Sequence, residues 1–209
     1  MGFYSKYILP KMIHLVCRAE ANTKQREKVV PRAHGRVLEI GAGSGLNLPF
    51  YDAVRVTHLS ALEPSAEMWA IAEPAVRETD FPVDFIQASA EEIPLETGSI
   101  DTVVTTYTLC SIPSAPNALR ETYRVLRPGG ELLFCEHGMA PDAGVRKWQD
   151  RINPLWKPLA GGCNLNLDIP SLLRAGGFDP ASLDTMYLPG LKPMTFNYWG
   201  TAQKSQPGP

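Results

Sequence analysis

The chain has 209 residues, of which 44% are apolar and 20% charged, and its formal net charge is −2. That balance excludes an intrinsically disordered chain and gives no general electrostatic attraction to nucleic acid. The length suits one α/β domain around one sizeable core.

Residues 3–30 read as helical, with Ile8, Met12, Leu15 and Ala19 on one apolar stripe. Pro10, Lys11 and His14 interrupt this segment, which is too short and too broken for a signal peptide or a membrane span. A helical cap over residues 1–30 and a cytoplasmic protein are therefore expected.

From about residue 36, short β-rich runs alternate with helical patterns, the signature of a mostly parallel sheet covered on both faces. Residues 36–40 (RVLEI) read as the first strand, followed by a glycine loop and a helix from about Leu46. Residues 57–63 (THLSALE) form a second strand, and Ser65 caps a helix that Pro74 should kink or end early.

Residues 83–87 (VDFIQ) and 100–105 (IDTVVT) give strands three and four. A helix from near Ser114 buries Leu119, Tyr123 and Leu126 and stops at residues 127–130 (RPGG), before a fifth strand at residues 131–137 (ELLFCEH). Val145, Trp148 and Ile152 mark an amphipathic segment ending before Pro154. Asp168 and Pro170 open a short helix that Gly176 and Gly177 close, and residues 182–188 and 195–202 fit a closing hairpin at one sheet edge. The main domain is expected over residues 31–203, with a flexible tail at 204–209.

The loop after the first strand reads LEIGAGSGLNLPFY. A dinucleotide site wants G-x-G-x-x-G, but here Gly41, Gly43 and Gly45 alternate and Leu46 takes the slot of the third glycine. A phosphate loop would need a lysine after Gly45, and none follows. Glu39, two places before Gly41, suits a cation and not a pyrophosphate, while Glu63 ends the second strand, where a carboxylate can accept both hydroxyls of a ribose. S-adenosylmethionine has a ribose, a cationic centre and no phosphate.

Four motifs then follow in order: LEIGAGSG, LEPS, IDTVVTTYTLCSIP and RVLRPGGELLF. On these, residues 32–134 resemble the class I S-adenosylmethionine-dependent methyltransferases. VVPRAHGRVLEIGAGSGLNLPFY, TLCSI, FCEHG and PLWKPLAGGCNLNLDI resemble a narrower group, the alkyl thiol methyltransferases and bacterial relatives close to phospholipid N-methyltransferases.

The resemblance implies a Rossmann-like α/β fold with a seven-stranded, mostly parallel sheet, helices on both faces and S-adenosyl-L-methionine as cofactor. It places Gly41, Gly43 and Gly45 against the methionyl and ribose parts, with Asn47 also in contact, Glu39 near the amino group and Glu63 on the ribose. Pro64 and Met68 would flank the adenine, and Thr106 and Tyr107 would line the methionine arm and the methyl. Ser89 and Ala90 stand where the family often has Asp-Ala at the adenine edge, a departure for which Glu91 is a substitute acceptor. Tyr4 and Tyr7 would lie on a lid over the cofactor or on a plain capping helix.

Methyl transfer from a sulfonium depends chiefly on positioning, so no elaborate catalytic constellation is required. A thiol acceptor must lose its proton. Tyr107, Cys110, Glu136 and His137 fall at the carboxyl ends of strands four and five, where an open α/β sheet binds ligands. His137 is the candidate base, with Tyr107 and Cys110 beside it, against the alternative of a histidine merely hydrogen-bonded at a strand end.

Cys17, Cys110, Cys135 and Cys163 form no CxxC or paired zinc pattern and do not match the arrangement of the arsenite methyltransferases, so reduced core thiols and no metal are expected. The expected activity is methyl transfer to a small-molecule acceptor, a thiol first and a lipid or other small amine second. A non-catalytic S-adenosylmethionine-binding regulator is the rival. A membrane-surface role is disfavoured because the N-terminal segment is only weakly basic, and the oligomeric state is left open.

Overall fold

In the computed structural model, which describes residues 4–205, the β-rich runs form seven strands. These are β1 (Gly35–Ile40), β2 (Val56–Leu62), β3 (Val83–Ile86), β4 (Ile100–Thr106), β5 (Leu126–His137), β6 (Phe178–Tyr187) and β7 (Phe196–Lys204). They make one sheet in the order β3-β2-β1-β4-β5-β7-β6. The first five strands are parallel, and β7 runs antiparallel between β5 and β6, so the expected hairpin closes one edge.

The central strands are apolar on both faces because both faces are covered. Leu38, Ile40, Val103, Leu132 and Phe134 enter one core with Leu119 and Leu126, while Val37, Leu59, Val104 and Leu133 enter the other with Val29 and Val30. The chain leaves β1 on one side for β2 and β3, then returns to β4 on the other. That reversal opens a crevice at the carboxyl ends of β1 and β4, the usual ligand position of an open α/β sheet.

The helices are α1 (Leu9–Cys17), α2 (Glu20–Val29), α3 (Ala66–Val76), α4 (Ala115–Val125), α5 (Ala143–Leu159), α6 (Ile169–Ala175) and the short α7 (Lys192–Thr195). Ser65 caps α3 by accepting from the Met68 amide, and Asp168 caps α6 by accepting from Ser171, as expected. The expected stop before Pro154 fails. α3 continues past Pro74, and α5 continues past both Pro154 and Pro158. The carbonyls these prolines leave unpaired belong to the exposed residues Ala70, Asp150 and Pro154, so the helices lose a bond without burying an orphan acceptor.

The helix expected from Leu46 is only a 3-10 turn, Leu48–Phe50, because Gly41, Gly43 and Gly45 all take left-handed backbone angles that hold the chain in a loop. Leu126 belongs to β5 and not to the helix before it, yet it is fully buried. The N-terminal segment is a π-helical turn, Tyr4–Ile8, then α1 and α2, separated at Arg18 and Ala19. Its predicted stripe is reversed: Ile8, Met12 and Leu15 are exposed, while Leu9, Pro10, Ile13 and Cys17 face inward. α1 is apolar nearly all round, so periodicity alone did not select its inner face.

Lys204 ends β7 and the Ser205 amide donates to the Gly177 carbonyl, so the first two residues of the expected tail are tied to the sheet. Residues 206–209 lie outside the described residues. No helix among the described residues is long and apolar enough to cross a membrane.

Candidate active site

At the carboxyl ends of β1, β2 and β4 lies a cavity of ≈ 600 Å³. The glycine loop forms one wall, with Gly41 at φ +69° and Gly43 at φ +54°. A Cβ on Gly41 would overlap the side chain of Thr108, so this backbone approach needs glycine. The Gly41 and Ala42 amides donate to the Leu62 carbonyl at 2.8 and 3.1 Å, pinning the loop to β2.

Glu63 accepts from the Gly43 amide at 3.0 Å and the Ser65 amide at 2.9 Å, joining loop to helix α3, and burial raises its carboxyl above the usual range. Glu39 accepts from Asn47 Nδ2 and from the Tyr51 hydroxyl, both at 2.8 Å. Burial nonetheless pushes Glu39 up to about 7, because two neutral donors recover only part of a carboxylate's lost hydration. Asn47 Nδ2 also donates to Thr106 Oγ1, tying the β4 exit to the loop.

α1 and α2 roof this cavity. His14 Nδ1 lies 2.7 Å from Ser44 Oγ, fastening α1 to the glycine loop. Arg26 of α2 is buried, donates from Nη1 to the Cys17 carbonyl at 2.7 Å and lies 5.1 Å above the Tyr107 ring, while its Nε has no partner among the described residues.

Of the cofactor residues named from the sequence, Glu39, Gly41, Gly43, Asn47, Glu63, Pro64, Met68, Ser89, Ala90, Thr106 and Tyr107 line this cavity. Three do not. Gly45 turns its bare Cα to Leu48 and Ala72, letting α3 pack closely. Glu91 accepts from the Ser114 amide at 2.6 Å and so serves the start of α4. Tyr4 is exposed and donates its hydroxyl to the Leu159 carbonyl at 2.7 Å.

A second cavity of ≈ 440 Å³ adjoins the first, and the two share Ile13, Cys17, Tyr107, Ser111 and Gly161. Met12, Val16, Leu188 and Leu191 give it apolar walls, and among the described residues no carboxylate lines it. Tyr107 stands between the two cavities in a left-handed conformation at φ 55°, a strained position for a side chain of that size.

Cys110, His137 and Cys163 lie together in the second cavity. His137 Nε2 is 3.0 Å from Cys163 Sγ, so the candidate base named from the sequence is hydrogen-bonded to a thiol. Trp156 Nε1 donates to the same sulfur at 3.4 Å. The Cys163 thiol is pulled down to about 4 by the hydrogen bond from Cys110, then by the bond and charge of His137 and by Trp156. His137 is raised in return: burial opposes its charge, but the bond to Cys163 and that sulfur's negative charge outweigh it.

Glu136 is a strut. It accepts from Thr105 Oγ1 at 2.8 Å and from the Thr108 and Leu109 amides at 2.9 and 3.2 Å, fixing the loop that carries Tyr107 and Cys110. Sequence reasoning missed Arg26, which carries no local motif, and left Cys163 among the core thiols, although its flanking glycines in AGGCNLN mark a loop able to bring it to a site.

A family model described as a methyltransferase domain matches residues 38–134. The thiol S-methyltransferase TMT1A of Homo sapiens is 33% identical over 175 residues, covering 82% of this chain and 71% of that protein. TMT1B of Homo sapiens, also a thiol S-methyltransferase, is 38% identical over 153 residues, covering 68% of this chain and 62% of that protein. A solved SAM-dependent methyltransferase from Methanosarcina mazei shares the fold, with a TM-score of 0.65 at 22% identity over 82% of this chain and 93% of the other.

Proposed function

The chain belongs to the class I S-adenosylmethionine-dependent methyltransferases, and on that premise we propose that its methyl acceptor is a small apolar thiol. One observation carries the choice of acceptor: an apolar cavity free of carboxylates adjoins the cofactor cavity and holds the Cys163–His137 pair. Such walls strip water from an apolar thiol and, among the described residues, offer no carboxylate to hold an amine. The names of the two human relatives support the same acceptor.

When bound, S-adenosylmethionine supplies a methyl group on a cationic sulfur. The residues present fit it. Gly43 borders the cavity with bare backbone where a ligand can approach, and Glu63 keeps lone pairs beyond its two amide bonds for ribose hydroxyls. Glu39 is a buried carboxylate for the amino group, and the unpaired Nε of Arg26 is a buried cationic donor for the carboxylate. Pro64, Met68, Ser89 and Ala90 would border the adenine end, and Thr106 and Tyr107 the methionine arm.

Alignment of acceptor and methyl group is worth up to about 7–11 kcal/mol, and here Tyr107 and the shared wall of the two cavities set it. The acceptor reacts as its thiolate. The four free cysteines fit the reducing, cytoplasmic setting expected from the sequence.

The test is incubation with methyl-labelled cofactor and a panel of alkyl and aryl thiols, amines and phenols, with product masses measured. One methyl gained on thiols is the expected result. Methylated amines with untouched thiols would overturn the choice of acceptor.

A further inference from the structure

The second cavity carries three soft or borderline donors from three separate parts of the chain. Cys110 comes from the loop after β4, His137 ends β5, and Cys163 follows α5. Their sulfur and nitrogen atoms lie within 4.8 Å of one another, and none of the sulfurs is in a disulfide. A tetrahedral zinc ion with bonds of about 2.3 Å to sulfur and about 2.0 Å to nitrogen separates its ligand atoms by about 3.5–3.8 Å. The three donors therefore need only small side-chain adjustments to reach that spacing.

We propose that Cys110, His137 and Cys163 are the three protein ligands of a zinc-class divalent metal ion whose fourth coordination position opens on the apolar cavity.

The surroundings supply what such a site needs. Two thiolates and a neutral imidazole around a divalent ion leave no net charge, which suits apolar walls. Asn164 donates from both its amide and Nδ2 to the Cys110 carbonyl, each at 2.8 Å, locking the Cys163 loop onto the loop after β4. The Trp156 indole supplies an N–H to the Cys163 sulfur. Outer donors of this kind orient ligands and tune a metal.

Three protein ligands and one open position distinguish a reactive zinc site from a closed structural one. Cys17 lines the same cavity but lies outside the cluster, so it leaves that position free.

The use of this position in catalysis rests on the thiol-acceptor reading, although metal binding does not. An acceptor thiol taking the fourth position loses its proton to solvent and is held as a thiolate. Its sulfur then forms the new bond to the methyl carbon as the bond from that carbon to the cofactor sulfur breaks, and the released pair neutralises the sulfonium. The product thioether, uncharged and a weaker ligand, leaves.

Equilibrium dialysis of the reduced chain against Co²⁺ or Zn²⁺ tests the site. The expected result is about one ion per chain, with protons released as the thiol ligands ionise on the metal. Cobalt should show the intense visible bands of tetrahedral geometry and a near-ultraviolet thiolate charge-transfer band. Cys163→Ser, Cys110→Ser and His137→Gln should each lose that spectrum while still binding S-adenosylmethionine by calorimetry, which shows that they fold, and Cys17→Ser should keep it.

Less than about a tenth of an ion per chain, or an unchanged spectrum in the Cys110→Ser/Cys163→Ser double variant, overturns the proposal. The two readings fail separately. Thiol methylation by metal-free protein, undiminished by chelators, sinks the metal's part in catalysis and spares the acceptor. A bound ion without methylation of any thiol does the reverse.

Discussion

Binding of S-adenosylmethionine should expel a proton from Glu39, and Glu39→Gln should remove most of the effect. Burial holds the Glu39 carboxyl at about 7 in the free protein. The ammonium of the cofactor, placed against it, draws it back to the ionised form. At pH 6 the free carboxyl is about 0.9 protonated and at pH 8 about 0.1, so binding releases about that many protons at each pH. Affinity rises with pH because the bound form carries fewer protons, by about tenfold between pH 6 and 8.

Titration calorimetry in two buffers of different ionisation enthalpy reads the proton count directly. The Gln variant should bind more weakly and with a flatter pH profile, the remainder coming from Glu63, whose carboxyl is raised in the same direction. Folding stability has a matching signature. The folded carboxyl is raised above its unfolded value of 4.5, so its contribution is fully present below pH 4.5 and is lost as pH rises through about 7, by roughly 3 kcal/mol. Equal binding heats in both buffers at pH 6, with an affinity indifferent to pH, would refute the placement of Glu39 against a cation.

Gly41→Ala places a side chain at φ +69° and onto Thr108, and should cost at least about 1–3 kcal/mol in a thermal melt, whereas Gly144→Ala, with open space at its Cβ inside α5, should be neutral or stabilising. Arg26→Ala should weaken binding of S-adenosylmethionine by about 30-fold or more, yet leave binding of its decarboxylated analogue unchanged; an equal loss for both ligands in calorimetry would remove Arg26 from the carboxylate. Glu136→Ala leaves the Thr108 and Leu109 amides without their acceptor and should cost about 2–5 kcal/mol in urea unfolding, with Glu136→Gln recovering much of it. An effect of Glu136→Ala below about 0.5 kcal/mol would mean that the loop does not hang on this carboxylate.

The sheet was legible because its central strands are short, continuous apolar runs, and two-sided burial makes them so. The glycine loop and Glu63 were legible for a related reason: in a parallel sheet the ligand crevice lies where strands end, and strand ends can be counted along the chain. Pro154 misled, since a sequence marks it without saying that Asp150, whose carbonyl it frees, is exposed. Cys163 was illegible as a partner of His137, 26 residues away, because their meeting depends on how α5 carries the chain back over the sheet. Glu39 and Glu136 make the limit concrete. Both are buried carboxylates at the ends of neighbouring parts of one sheet, and burial lifts both to about 7. Glu136 meets a threonine hydroxyl and two backbone amides of a single loop, so its bonds hold structure. Glu39 meets two side chains and borders a cavity, so acceptor capacity remains for a ligand. Residue type and strand position are the same in both cases. The donors that surround the carboxylate decide between strut and binding group, and those donors are set by tertiary contacts.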